Sequence, residues 1–314
     1  EFLRALVYDP TRMFDLWDES GAFAKLFPEL LKMKGCPQPE MFHSEGDVWT
    51  HTRLALMQLT SSAFREEFQV NIGPNDVCGP DAGERDIVEG PFDAEVALAV
   101  LLHDVGKPYT IQTPEKDGVD RIRFNNHDHV GARLAREMVS RLKLSSLPKG
   151  TRYYVDEDVL AWLIEKHLIL VHGEVNTMRA STIEKYFLRP GQQPASRPQP
   201  ASRPQTSSRP LGEKLMQLIF CDGNATIPLS QTPEMRHFYQ LKERLKTIRA
   251  LSLTKTDLPP PLLSGREVMA VLGIPSGPTV GKYLALLREE QLEGRLTDRD
   301  AAMTFLRDQS TTLL

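Results

Sequence analysis

The sequence predicts a nearly all-α protein. Two observations carry that expectation: apolar residues recur every three to four positions through most of the chain, and few stretches favour strands. Pro and Gly clusters punctuate the periodic segments and set their limits.

Residues 1–34 read as helices broken at Pro10 and Pro28, because a Pro ring cannot continue the turn before it. Residues 71–92 are rich in Gly, Pro and Asp and read as a long surface loop. Val96–His103 is apolar with no polar face, and a helix apolar all round is a buried one. Thr110–Phe124 is expected to be a loop or a small hairpin, and Val130–Leu142 and Asp158–Leu170 amphipathic helices. Residues 190–210 repeat ASRPQ, with no large apolar residue between Leu188 and Leu211. They cannot form a core and are expected to be an extended, mobile loop. Arg197, Arg203 and Arg209 there are placed to touch RNA, though a solvated insertion is the plainer reading. Helices resume at Leu211, with Phe220-Cys-Asp-Gly inside or ending the first. The run DLPPP at Asp257–Pro261 marks a boundary before a separate helical tail.

The chain has 314 residues, enough for one large domain or a core with appendages. A net charge of −4 implies no global attraction to nucleic acid, so any such contact must rest on a local basic face. The longest apolar run, around Val96–Leu102, is too short to span a bilayer. No signal peptide is read at the start, although a first residue of Glu1 leaves missing N-terminal sequence open. Cys36, Cys78 and Cys221 form no CxxC, which argues against a zinc finger or redox motif and for a reduced, cytoplasmic setting.

Seven of the eight histidines fall between residues 43 and 172. His51 opens an amphipathic segment, and His103-Asp104 ends the buried one. His127 precedes the Val130–Leu142 helix, His167 lies late in the next, and Asp222 sits in LIFCDGNAT. The HD doublet alone is a weak signal. The ordered set H…HD…H…H…D, each member beside an apolar helix, points to a metal site held by several helices. Imidazole and carboxylate donors suit Mn, Fe, Co, Ni or Zn, and Mg with more oxygen ligands. Adjacent helical residues point about 100° apart, so His103 and Asp104 reach one ion from two directions, and the carboxylate can bridge to a second. Two such ions activate a water and neutralise a phosphate. His43, His172 and His237 are read as hydrogen-bonded core histidines. Lys107 lies one turn past His103, within reach of a phosphate oxygen. Its plainer role is a surface lysine at a helix C-terminus, but the flanking Gly106 and Pro108 favour the phosphate role.

With these residues in view, the sequence resembles the HD-domain metal-dependent phosphohydrolases. HSEGDVWTHT, LLHDVGKP and RIRFNNHDHVGARLA are similar to one branch, the HD domain behind the head and neck of bacterial CCA-adding tRNA nucleotidyltransferases and poly(A) polymerases. GAFAKLFPEL resembles the end of that family's neck, and the run from Leu262 to Leu306 its tail domain. The resemblance implies an all-α HD bundle at 41–256, a neck-like segment at 1–40 and a helical tail at 257–314. It implies His51, His103, Asp104 and Asp222 as ligands of one ion, and His127 and His167 as ligands of a second. It also implies 2′,3′-cyclic phosphodiesterase, 2′-nucleotidase or phosphatase action on nucleotide or tRNA-like RNA ends. Asp104 would orient the metals and accept a proton, Lys107 would stabilise phosphoryl charge, and His129 is a candidate substrate contact.

Nucleotide addition would need a Gly-Ser turn and a DxD pair. Asp156-Glu-Asp158 and Asp298-Arg-Asp300 lack the preceding strand and turn and read as helix-start acids. The expectation is therefore a chain that does not polymerise nucleotides, either because the head has been removed or because this is a head-less homologue. The alternative is an RNA-binding body serving a head in cis or as a separate nucleotidyltransferase partner. GIPSGPTVGK (273–282) mimics a P-loop but fails in spacing and in the Tyr after its Lys; a Gly-Pro helix start fits it better. Arg266, Lys282 and Arg288 are candidate RNA contacts there, packing being the plainer reading.

Overall fold

The computed structural model describes residues 1–68, 92–171, 174–188, 210–251 and 259–312. The expected loop at 71–92, save its last residue, and His172, Cys78 and the repeat through residue 209 lie outside the described residues. Among the described residues there is no strand, only an isolated antiparallel bridge between Gln112 and Arg123. The all-α expectation holds.

The N-terminal segment folds as α1 (Phe2–Tyr8), α2 (Pro10–Glu19), α3 (Ala22–Leu26) and α4 (Pro28–Leu31). Pro10 and Pro28 end one helix by starting the next: each takes the first position, where its missing N–H costs nothing. Helices α5 (Val48–Gln58), α6 (Ser62–Glu67) and α7 (Ala94–Leu102) follow. Then come short α8 (Lys107–Thr110) and α9 (Pro114–Asp117), α10 (His127–Leu142) and α11 (Glu157–Lys166). Beyond them are α12 (Ala180–Ile183), α13 (Leu211–Ala225), α14 (Arg236–Ala250), α15 (Gly265–Leu272), α16 (Pro278–Leu292) and α17 (Arg299–Thr312). Two expectations shift: α10 starts at His127 itself, and α11 stops at Lys166, with His167–Leu170 in a 3₁₀ turn. Asp156 and Asp298 accept helix-start N–H groups, as their positions predict.

The chain divides into two compact units, Glu1–His172 with Pro190–Phe238, and Gly173–Arg189 with Tyr239–Leu314. In the first, α7 is the axis. Every residue of it is buried, and α1, α5, α11 and α13 pack around it. Its one charged member, Glu95, survives burial because Lys214 of α13 pairs with both Glu95 and Asp93, and Glu95 also accepts the Asp156 N–H. Trp49 of α5 packs against Phe14 at 4.3 Å and Phe23 at 5.8 Å between ring centroids. The N-terminal helices thereby grip the helix that carries His51. Close backbone approach fixes α10: a Cβ on Gly106 would fall 2.1 Å from the His127 carbonyl oxygen. Only glycine lets the turn after α7 touch the start of α10.

The second unit has its own core of Leu263, Val268, Val280, Leu287, Ala302 and Leu306. Pro278 opens α16 after Gly277, the helix start expected in place of a P-loop. Glu289 accepts the Ala180 and Ser181 N–H groups at 2.6 and 3.0 Å, tying the start of α12 to α16.

Candidate metal centre

The ends of α5, α7, α10, α11 and α13 converge in the first unit. His51 sits in the first turn of α5, whose N-terminus is capped by Asp47. His103 ends α7, His127 begins α10, His167 follows α11, and Asp222 lies inside α13. The four histidines are buried, and so is Asp104.

Each imidazole is held by its Nδ1. His103 donates to the Val100 carbonyl at 2.8 Å, His127 to the Phe124 carbonyl at 2.8 Å and His167 to the Ile164 carbonyl at 2.6 Å. His51 Nδ1 is bound to the Glu45 carboxylate at 2.9 Å. That arrangement orients each ring and leaves every Nε2 facing inward as the nitrogen available to a metal. The inward nitrogens then form two groups around Asp104. In one, His51 and His103 Nε2 lie 3.4 Å apart, with Asp104 Oδ2 3.7 and 3.3 Å from them and Asp222 Oδ1 3.0 and 3.6 Å from them. In the other, His127 and His167 Nε2 lie 3.3 Å apart, with Asp104 Oδ1 at 3.4 and 3.9 Å.

The donors fit divalent ions. Bonds of about 2.1 Å in tetrahedral geometry place ligand atoms about 3.4 Å apart, and the separations here scatter around that value. Asp104 adds a second sign: both of its oxygens are buried and neither accepts a well-formed hydrogen bond. Lys107 Nζ lies 2.7 Å from Oδ2, but a buried carboxylate with so few partners is costly unless another cation balances it.

The charges are strongly coupled. Burial favours a neutral carboxyl at Asp104, yet the charges of His103 and Lys107 hold it well below the ordinary range. Asp222 is likewise held low against burial by hydrogen bonds from His103 and His51. Burial favours neutral His103, but the Asp104 carboxylate outweighs it and raises that imidazole to about 10. His167 is lowered to about 4, first by burial and then by the neighbouring imidazoles, His103 foremost. Ligation by His103 would therefore release a proton.

All six residues named as ligands from the sequence meet here. Lys107 is not the surface lysine of the plainer reading: it is buried, and its Nζ rests on Asp104 and, at 2.8 Å, on Gln38. His129 points away, with its side chain 61% exposed and 3.9 Å from Asp128. His43 binds Glu45 at 2.7 Å, and His237 binds the Leu170 carbonyl at 3.3 Å, in keeping with hydrogen-bonded core histidines. In the second unit Arg266 and Lys282 are exposed. Arg288, a candidate RNA contact by sequence, instead spends its guanidinium on Glu184, Gln291 and the Pro259 carbonyl. A guanidinium held by a carboxylate, an amide and a carbonyl is not offered to a phosphate.

Sequence reasoning missed Glu45 and Gln38. Glu45 Oε1 serves both His43 and His51, and Oε2 accepts the Ile227 N–H at 3.0 Å. Its pKa falls to about 2, because those bonds outweigh burial. The available signal was its place in HSEGDVWTHT, between two histidines.

The HD-domain family matches residues 79–217, and the chain carries an HD domain there. The match takes in His103, Asp104, His127 and His167, while His51 and Asp222 flank it. The chain is further homologous to the CCA-adding tRNA nucleotidyltransferases. It is 32% identical to the A-adding tRNA nucleotidyltransferase of Deinococcus radiodurans over 68% of this chain and 42% of that protein. It is 29% identical to the CC-adding tRNA nucleotidyltransferase of Thermus thermophilus over 98% of this chain and 55% of that protein. It is 32% identical to the Multifunctional CCA protein of Alkalilimnicola ehrlichii over 59% of this chain and 34% of that protein. The chain thus spans about half, or less, of the curated relatives it matches. Among the described residues, no helix is long and apolar enough to cross a membrane.

Proposed function

We propose that the first unit is a two-metal phosphohydrolase acting on nucleotide or RNA-end phosphoesters: 2′,3′-cyclic phosphodiester, 2′-nucleotide or phosphomonoester hydrolysis. The observation that carries this reading is Asp104, whose two buried oxygens each face a separate pair of inward imidazole nitrogens. His51, His103, Asp104 and Asp222 would hold one ion; Asp104, His127 and His167 would hold the other. Mn, Fe, Co, Ni and Zn suit the mixed donors, and Mg is accommodated less well by so much nitrogen. When bound, the ions supply an activated water and charge neutralisation at phosphate.

The chain's own groups do the rest. Asp104 orients the donors and takes the proton of the attacking water. The new bond joins water oxygen to phosphorus, the phosphorus–ribose oxygen bond breaks, and the proton passes to the departing ribose oxygen. Lys107 meets developing phosphoryl charge by exchanging one of its present partners, Asp104 or Gln38, for a substrate oxygen. His129 would contact only a substrate extending across the start of α10. The chain would comprise a neck-like segment at 1–40, an HD body at 41–256 and a tail at 257–314 that would hold RNA through Arg266 and Lys282, and it would work in the cytoplasm.

Replacing Asp104 by Ala tests the reading. Metal content and hydrolysis of a 2′,3′-cyclic nucleotide should both collapse, and unchanged activity would sink it. A second reading, an RNA-binding body that serves a nucleotidyltransferase head, is favoured by the similarity over 98% of the chain to a CC-adding enzyme. It expects tRNA binding that survives Asp104→Ala.

A further inference from the structure

A half-open cavity of about 250 Å³ adjoins the donor cluster, and His167 and Asp222 line both. Its other walls are largely apolar: Phe42, Leu170, Ile219, Met235 and Phe238. Met235 rests on Gly223, the residue after Asp222, so closely that a Cβ there would lie 2.7 Å from its sulfur. One cavity wall is thus built directly on a proposed ligand-bearing turn of α13. At the open side Phe42 is 43% exposed and Val171 66%, and Arg121 lies 5.7 Å from the Phe42 ring centroid. Met41 and Leu229, joined by a backbone hydrogen bond and adjacent to the lining residues Phe42 and Pro228, are 62% and 58% exposed. Large exposed apolar side chains gathered beside a cavity mark a binding surface.

Resting on the hydrolase reading, we propose that this cavity is the base pocket of the substrate, taking the nucleobase of a terminal nucleotide whose phosphate lies at the donor cluster. The volume is below the roughly 300–1,000 Å³ of pockets that enclose drug-sized ligands, which suits one ring system and leaves a following nucleotide outside. The apolar walls reward a flat ring, not a bare sugar phosphate. Phe42, a lining residue at the rim, offers a stacking face to the base itself, and Arg121 beside it places a cation where the next part of an RNA chain would emerge.

The test is equilibrium binding of adenosine 2′-monophosphate and, as a base-less control, ribose 5-phosphate to the full metal-loaded chain. Met235→Trp fills the cavity and should weaken the nucleotide at least about tenfold. Phe42→Ala removes an exposed face without disturbing the core and should weaken it about 5- to 150-fold, the range stacking on one aromatic supports. Binding of ribose 5-phosphate and metal content should hold in both variants. Equal losses for the two ligands, unchanged nucleotide binding in Phe42→Ala, or no nucleotide preference in the wild type would overturn the assignment. Binding does not require turnover, so absence of hydrolysis by the wild type would count against the hydrolase reading alone.

Discussion

Glu45→Gln is the sharpest test of how the centre is built. Glu45 Oε1 binds His43 and His51 at 2.7 and 2.9 Å, while Oε2 accepts the Ile227 N–H at 3.0 Å. An amide matches the volume but has one acceptor. If its oxygen faces the histidines, its NH₂ meets the Ile227 N–H, and a buried donor loses its partner at a cost of about 1–3 kcal/mol. If it turns the other way, two Nδ1–H groups face an NH₂, and His51 is free to change tautomer. In both cases the charge that makes His51 a better donor is gone. Losing such a partner typically lowers metal affinity 10- to 100-fold, or about 1.4–2.7 kcal/mol. Competition against a chromogenic chelator reads the dissociation constant, and urea denaturation of the metal-free chain separates the structural loss. If the variant loses stability but keeps wild-type metal affinity, the claim that Glu45 tunes His51 is wrong.

Three further outcomes follow from packing and charge. Lys214→Met leaves Asp93 and Glu95 buried without their cation, and chemical denaturation should show a loss of about 3–5 kcal/mol. Gly106→Ala sets a methyl 2.1 Å from the His127 carbonyl oxygen, so α10 must shift; a loss of about 1–3 kcal/mol or more should come with reduced metal content at the His127–His167 group. In the tail, the Glu289 carboxyl titrates below its usual 4.5, because bonds from Ser181 and Ala180 outweigh burial. Its contribution is present above pH 4.5 and is lost as pH falls through the lowered value. The stability difference between wild type and Glu289→Gln should therefore narrow as the pH drops below 4.5.

How much of this was legible in the sequence varies by residue. Apolar periodicity and the two prolines located the N-terminal helices, and the unbroken apolar run placed α7 at the centre. Both are local rules, decided by backbone sterics and by which faces must leave water. The ligand types were legible too, since His and Asp beside apolar helices have few other uses in such numbers. The helix ends at His127 and Lys166 moved because a close turn at Gly106 and a 3₁₀ turn at His167 are set by neighbouring elements. Lys107 was legible as a cation but not as a buried one, because Gln38 and Asp104 meet it only after the chain folds. Which of the two readings of Arg288 the fold favours was hidden for the same reason, its carboxylate partner Glu184 lying far off in sequence.

By itself, the sequence determined an all-α chain, its principal helices and a set of six candidate ligands. Tertiary structure decided that they form two groups sharing Asp104, that Glu45 holds His51, and that an apolar cavity opens beside Asp222. The physical reason is range. Helix formation and burial patterns depend on residues within a few turns, whereas His51 and Asp222 stand 171 positions apart and come to 3.0 Å only through the packing of α5 and α13 against α7.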